Sequence, residues 1–186
     1  MSGMATRVVP APFAQLPNAL TVARLLLIPL FVVLMVKASD SPSWPAGVVF
    51  AVAGATDQVD GFLARRWHVE SRFGKIADPL ADRLMIDSAV VLLWLDGRLP
   101  WAALLIALVR DGLLIGGYRL VRDRGYEFEV TKLGKTATWV LYAGIIGVIA
   151  SDPGTDWPLA LFWTGVALAV AAAVEYIVGA VRMVER

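Results

Sequence analysis

Residues 57–82, DQVDGFLARRWHVESRFGKIADPLAD, hold four aspartates at the borders of two long apolar stretches. A carboxylate near a hydrocarbon layer is expensive unless partnered, so an acidic cluster there points to function before it points to packing. Outside this segment the composition is that of a membrane protein. Of 186 residues, 58% are hydrophobic, and the mean hydropathy of +0.67 exceeds that of an ordinary soluble domain. The expected fold class is therefore all-α, a polytopic bundle with room for about six spans of roughly 20 residues each and for no separate soluble domain. Cys is absent, which removes disulfides, thiolate catalysis and thiolate-bound metal, and leaves oxygen ligands.

Six apolar runs can be placed on the chain. Met1 to Gln15 has no sustained apolar run and carries Pro10 and Pro12, so residues 1–15 read as a short interfacial tail, too weakly apolar for a signal peptide. Residues 16–186 then form a single six-helix domain. Leu16-Pro17-Asn18 opens the first span, about Ala19 to Val36, with Asn18 as its N-cap and Pro29 inside. The second span starts at Trp44-Pro45 and runs into the aspartates. The others cover about Ile76 to Leu95, Leu99 to Leu120, Leu133 to Ala150 and Trp157 to Val181. Small-residue spacings at Gly112 to Gly116 and Gly144 to Gly147 are of the kind that let helices or protomers pack closely.

The distribution of charge orients the bundle. The net charge of +1 says little, and no nucleic-acid partner is expected, because the 17 Lys and Arg residues sort by loop. Arg65, Arg66, Arg72 and Lys75 follow span two, and Arg119, Arg122, Arg124, Lys132 and Lys135 follow span four. The opposite loops hold only Lys37 and Arg98, and Trp44, Trp101 and Trp157 stand near the span ends on that side. Both termini and the aspartate loop are thus expected on the cytoplasmic side of the cytoplasmic membrane, with an aromatic belt on the far side.

If span two stays helical through Asp57 to Arg65 and span three begins near Gly74, Asp57 and Asp60 share one helix face and Asp78 and Asp82 share another. Four carboxylates brought together repel one another unless they share protons or enclose cations, and hard oxygen ligands favour Mg²⁺, Mn²⁺ or Ca²⁺ over zinc. Two divalent ions would neutralise the cluster and offer open positions to a diphosphate. Gly61 and Ala64 make a small-residue surface beside Asp60, Gly74 does the same at the start of span three, and Arg65 supplies a bidentate donor for phosphate.

The pattern D-x2-D-G-x2-A-R-x8-G-x3-D-x3-D, formed by Asp57, Asp60, Gly61, Ala64, Arg65, Gly74, Asp78 and Asp82, resembles the signature of the CDP-alcohol phosphatidyltransferases at every position. Chance agreement at eight fixed residues is on the order of one in 10⁹ per start position. The resemblance covers most of the chain and implies a six-helix membrane enzyme that displaces CMP from a CDP-linked lipid by an alcohol hydroxyl. It further implies that Asp57, Asp60, Asp78 and Asp82 hold a pair of divalent cations, Mg²⁺ or Mn²⁺, and that Asp82 is the base for the acceptor. Asp57, Asp60, Gly61, Ala64, Arg65, Gly74 and Asp78 would form the CDP-lipid pocket, opening to the cytoplasmic leaflet of a homodimer.

The acceptor is less directly legible. Leu16-Pro17-Asn18 with Thr21, Arg24 and Pro29, and Asp78-Pro79-Leu80-Ala81-Asp82, resemble the branch that makes phosphatidylglycerol phosphate and cardiolipin. Within it, Arg110-Asp111 followed by Leu113-Leu114-Ile115, and Val130-Thr131 with Gly134-Lys135 and Thr138, are more similar to the cardiolipin synthases, whereas the glycerol 3-phosphate enzymes usually carry Glu where Asp111 stands. Arg110, Lys132 and Lys135 are the candidate acceptor cations, suited equally to glycerol 3-phosphate or phosphatidylglycerol. Arg24, near the start of span one, has two readings: a cation snorkelling to the interface or one facing the acceptor pocket. Two other classes fit clustered intramembrane acids, a prenyltransferase and a cation transporter. The single contiguous motif argues against the first, and metal-dependent CMP binding would exclude the second.

Overall fold

The computed structural model describes the backbone of residues 16–38, 42–67, 72–122 and 132–184, and side chains at 19–38, 42–57, 59, 80–110, 112 and 132–175. Every regular element among these is a helix. They are α1 (Leu16–Ala38), α2 (Trp44–Trp67), α3 (Arg72–Leu95), α4 (Trp101–Arg122), α5 (Lys132–Ala150) and α6 (Asp156–Val184). The six runs expected from hydropathy are thus six helices, with ends a few residues from the expected positions. Among the described residues, Ala19–Ala38, Lys132–Ala150 and Asp156–Glu175 are long and apolar enough to cross a membrane on composition alone. α2 and α3 carry the charged motif within their length, and α4 contributes a shorter apolar stretch, Trp101–Arg110.

All six helices contribute to one core, and four of them carry stripes that run on towards the motif end. On α1 the inward face runs Arg24, Ile28, Phe31 and Met35; on α2, Ala46, Phe50, Ala53 and Asp57; on α3, Asp82, Ile86, Ala89 and Leu93; on α5, Tyr142, Ile145 and Ile149. These spacings of three and four residues are one helix face in each case. Each stripe is apolar at one end of the bundle and ends on a polar residue at the other. The face that builds the core therefore also builds the polar site. α6 packs most extensively on α5, where a Cβ at Gly144 would lie 2.6 Å from the Phe162 amide nitrogen and one at Gly165 would lie 2.6 Å from that of Leu141. Only glycine permits this backbone approach. Among the described residues, by contrast, nothing packs against Gly112 on α4.

The apolar end is tied by backbone bonds. Ser43 caps α2, its Oγ accepting from the Ala46 amide at 3.3 Å, while its own amide donates to the Ile149 carbonyl at 2.9 Å. α3 ends on Gly97 at φ 67°, with the Arg98 amide donating to the Leu93 carbonyl and the Gly97 amide to that of Trp94, which satisfies carbonyls the helix leaves open. The Arg98 guanidinium reaches across to the carbonyls of Ile149 and Ser151. Burial lowers its pKa and the carboxylates of Asp96 and Asp152 partly oppose that shift, so the clasp keeps a charged donor. These bonds gather the start of α2, the α3–α4 turn and the α5–α6 turn at one end. Trp44, Trp101 and Trp157, all exposed, begin helices there. The α2–α3 junction, with its aspartates, must lie at the opposite end.

Candidate active site

The polar ends of the four stripes meet. Arg24, on α1, is only 1% exposed, and its Nη1 lies 2.7 Å from Oδ1 of Asp57 on α2. Asp57 keeps 25% of its side chain accessible, so the pair sits at the inner edge of an opening and not within a sealed core. Of the two readings of Arg24, snorkelling is overturned. The guanidinium turns inward because Asp57, one of the signature acids, provides a partner that offsets its desolvation.

Asp82, on α3, accepts a hydrogen bond at Oδ1 from the Tyr142 hydroxyl on α5. The Tyr142 ring packs on Phe50 of α2 with centroids 5.1 Å apart, and Phe50 packs in turn on Phe31 of α1 at 5.6 Å. Gly54 lies one turn before Asp57, and a Cβ there would lie 2.7 Å from Cδ1 of the ring. The tyrosine thus occupies a groove that a larger residue on α2 would fill. Because the ring is seated at Gly54, one turn from Asp57, the Tyr142 hydroxyl and Asp82 stand at the same end of the bundle as the Arg24–Asp57 pair. Two signature acids from different helices, a buried cation and a buried phenol therefore form one cluster.

The remaining signature residues divide by helix. Asp60, Gly61, Ala64 and Arg65 lie on α2 and Gly74 and Asp78 on α3, as the helical reading of the motif requires, but their side chains lie outside those described. Among the described residues no group of three or more acids comes together; the side chains of Asp60 and Asp78 are not among them. Arg110 is half-buried on α4, and Lys132 and Lys135 are exposed in the first turn of α5. Asp111 is outside the described side chains. Lys135 stands seven residues before Tyr142, two turns along the same face of α5. Tyr142 was not singled out from the sequence. The available signal was a phenol inside an apolar span, which must find a polar partner.

The donor chemistry suits a hard divalent cation. The acids are oxygen donors, no thiol or described histidine competes, and the site already draws a positive charge, that of Arg24, against Asp57.

Comparison with known proteins agrees with this geometry. Residues 14–175 match the CDP-alcohol phosphatidyltransferase family. The chain is 38% identical over 157 residues to the cardiolipin synthase (CMP-forming) of Streptomyces coelicolor, covering 82% of this chain and 72% of that protein. It is 31% identical over 183 residues to the CDP-diacylglycerol–glycerol-3-phosphate 3-phosphatidyltransferase of Bacillus subtilis, covering 87% of this chain and 93% of that one. The Escherichia coli protein of the same name is 30% identical over 165 residues, covering 78% of this chain and 91% of its own length. The match spans the helices that bring Arg24, Asp57, Asp82 and Tyr142 together, and by it this chain belongs to the CDP-alcohol phosphatidyltransferase family of phospholipid-synthesising membrane enzymes, whose chemistry uses divalent metal ions.

Proposed function

We propose that this enzyme transfers the phosphatidyl group of CDP-diacylglycerol to phosphatidylglycerol, forming cardiolipin and releasing CMP. The observation that carries the reading is the convergence of Asp57 and Asp82, from the two arms of the signature, on one partly accessible polar end of the bundle. Asp57, Asp60, Asp78 and Asp82 would hold two divalent cations, Mg²⁺ or Mn²⁺. When bound, these supply charge neutralisation of the diphosphate and assist the departure of CMP.

The chain's own residues do the rest. By the signature match, Gly61, Ala64 and Gly74 would leave room for the cytidine diphosphate beside Asp57, Asp60 and Asp78, and Arg65 would donate to its phosphate oxygens. Asp82 accepts the proton of the acceptor hydroxyl as its oxygen bonds to the lipid-linked phosphorus and the bond from that phosphorus to CMP breaks. Lys135, two turns before Tyr142 on α5, would bind the anionic acceptor headgroup together with Lys132 and Arg110. The site would open to the cytoplasmic leaflet, consistent with the cation-rich loops at the motif end. The bundle of residues 16–186, with 1–15 as an interfacial tail, would act as a single domain and assemble as a homodimer.

A second acceptor, glycerol 3-phosphate, is favoured by a different observation. The Bacillus subtilis relative named for that acceptor aligns over 93% of its length, against 72% for the cardiolipin synthase. Asp111 in place of the usual Glu and the higher identity to the cardiolipin synthase favour phosphatidylglycerol. The test is a product assay on purified protein in lipid with CDP-diacylglycerol and Mg²⁺ or Mn²⁺, each acceptor offered separately and a chelator control included. Cardiolipin is the expected product. Phosphatidylglycerol phosphate from glycerol 3-phosphate would reassign the acceptor, and absence of CMP release with both would overturn the reading.

A further inference from the structure

We propose that Tyr142 is a positioning residue for Asp82, holding the carboxylate in the orientation that binds the metal and receives the acceptor's proton. This rests on the role given to Asp82 above. The terminal torsion of an aspartate is broad, so a carboxylate without a directional partner samples a wide arc. A hydroxyl donated to Oδ1 removes that freedom and leaves Oδ2 for other partners. The donor must itself be held in place for this to work, and Tyr142 is held by its packing on α2.

Its ring is 8% exposed, stacks at a tilt of 39° on Phe50 and fills the groove at Gly54. Gly54 and Phe50 both belong to α2, the helix that carries Asp57. The tyrosine is therefore keyed to one arm of the signature while its hydroxyl grips the other, so it also fixes the distance between the two acids. A phenol that merely satisfied a buried hydrogen bond would be equally served by a backbone carbonyl. Here the acceptor is a signature carboxylate sixty residues away in the chain.

The test uses Tyr142→Phe, which keeps the ring in its groove and removes only the hydroxyl, together with Asp82→Asn and the double variant, all as full-length protein in lipid. Partners that orient metal ligands typically contribute 10- to 100-fold to affinity or rate. Tyr142→Phe is expected to lower kcat with CDP-diacylglycerol by about 10- to 100-fold while its KM stays within about twofold, and to weaken Mn²⁺ binding by about tenfold, measured by electron paramagnetic resonance without substrate. In the Asp82→Asn background the same change should have no further effect on Mn²⁺ affinity. Unchanged kcat and Mn²⁺ affinity with only a lower melting temperature would reduce Tyr142 to packing. A full, additive loss of Mn²⁺ affinity in the double variant would show that it does not act through Asp82. The Mn²⁺ measurement decides these points even if the wild-type protein releases no CMP, an outcome that would sink the proposed reaction instead.

Discussion

The two ends of this bundle are held together by different chemistry. At the tryptophan end, backbone groups do the work: the Ser43 cap, the Gly97 turn and the Arg98 guanidinium all end on carbonyls or amides. At the aspartate end, side chains from four helices hold one another, Arg24 to Asp57 and Tyr142 to Asp82. Backbone ties have no alternative partner once formed. Ionic and hydroxyl contacts can be exchanged for a cation or a phosphate, so the end held by side chains is the one that can admit a ligand without unfolding. The same contrast separates α5–α6, joined by glycine-mediated backbone contact at Gly144 and Gly165, from the α2–α3 pair, which packs less extensively and joins the two arms of the signature.

Substitutions at the two ends should therefore fall into two classes. The largest effect is expected at Asp82. Asp82→Asn should lower turnover by about 10²- to 10⁴-fold, with CDP-lipid binding kept at saturating Mn²⁺ because three of the four proposed metal ligands remain. CMP release and lipid binding measured side by side check this, and wild-type rates would remove Asp82 as the base.

Arg24→Ala comes next, because it strands a largely buried carboxylate. The cost should be about 2–3 kcal/mol, below that of a fully buried pair since Asp57 is partly accessible. Added Mn²⁺ should recover part of that loss by replacing the missing positive charge. Thermal unfolding with and without Mn²⁺ measures both, and a melting temperature equal to wild type in each condition would contradict the exchangeable character of this end.

Arg98→Ala should cost about 1–2 kcal/mol of stability with kcat within about twofold of wild type. A large fall in activity would show that the tryptophan end is coupled to the site. The smallest change is expected from Ser43→Ala, a cap contact of 3.3 Å, which should cost about 1 kcal/mol and leave activity untouched.

Much of the architecture was legible without coordinates because it rests on local rules. Apolar runs of span length gave six helices, with α2 continuing through Asp57 and Arg65 to Trp67 and α3 starting at Arg72, close to the expected Gly74. The Gly144–Gly147 spacing indicated close packing and does face α6, whereas among the described residues nothing packs against Gly112. A spacing reports which residues share a face, and it does not report what that face meets.

The same limit divides the site. Periodicity and motif spacing, properties of one or two turns of helix, determined that the aspartates pair along α2 and α3, that oxygen donors dominate, and to which family the pattern belongs. Only the tertiary structure decided where Arg24 points and that Tyr142 belongs to the site. Both contacts join helices distant in the chain, and whether a buried cation or phenol has a partner depends on which helix packs across from it, a quantity that no local pattern encodes.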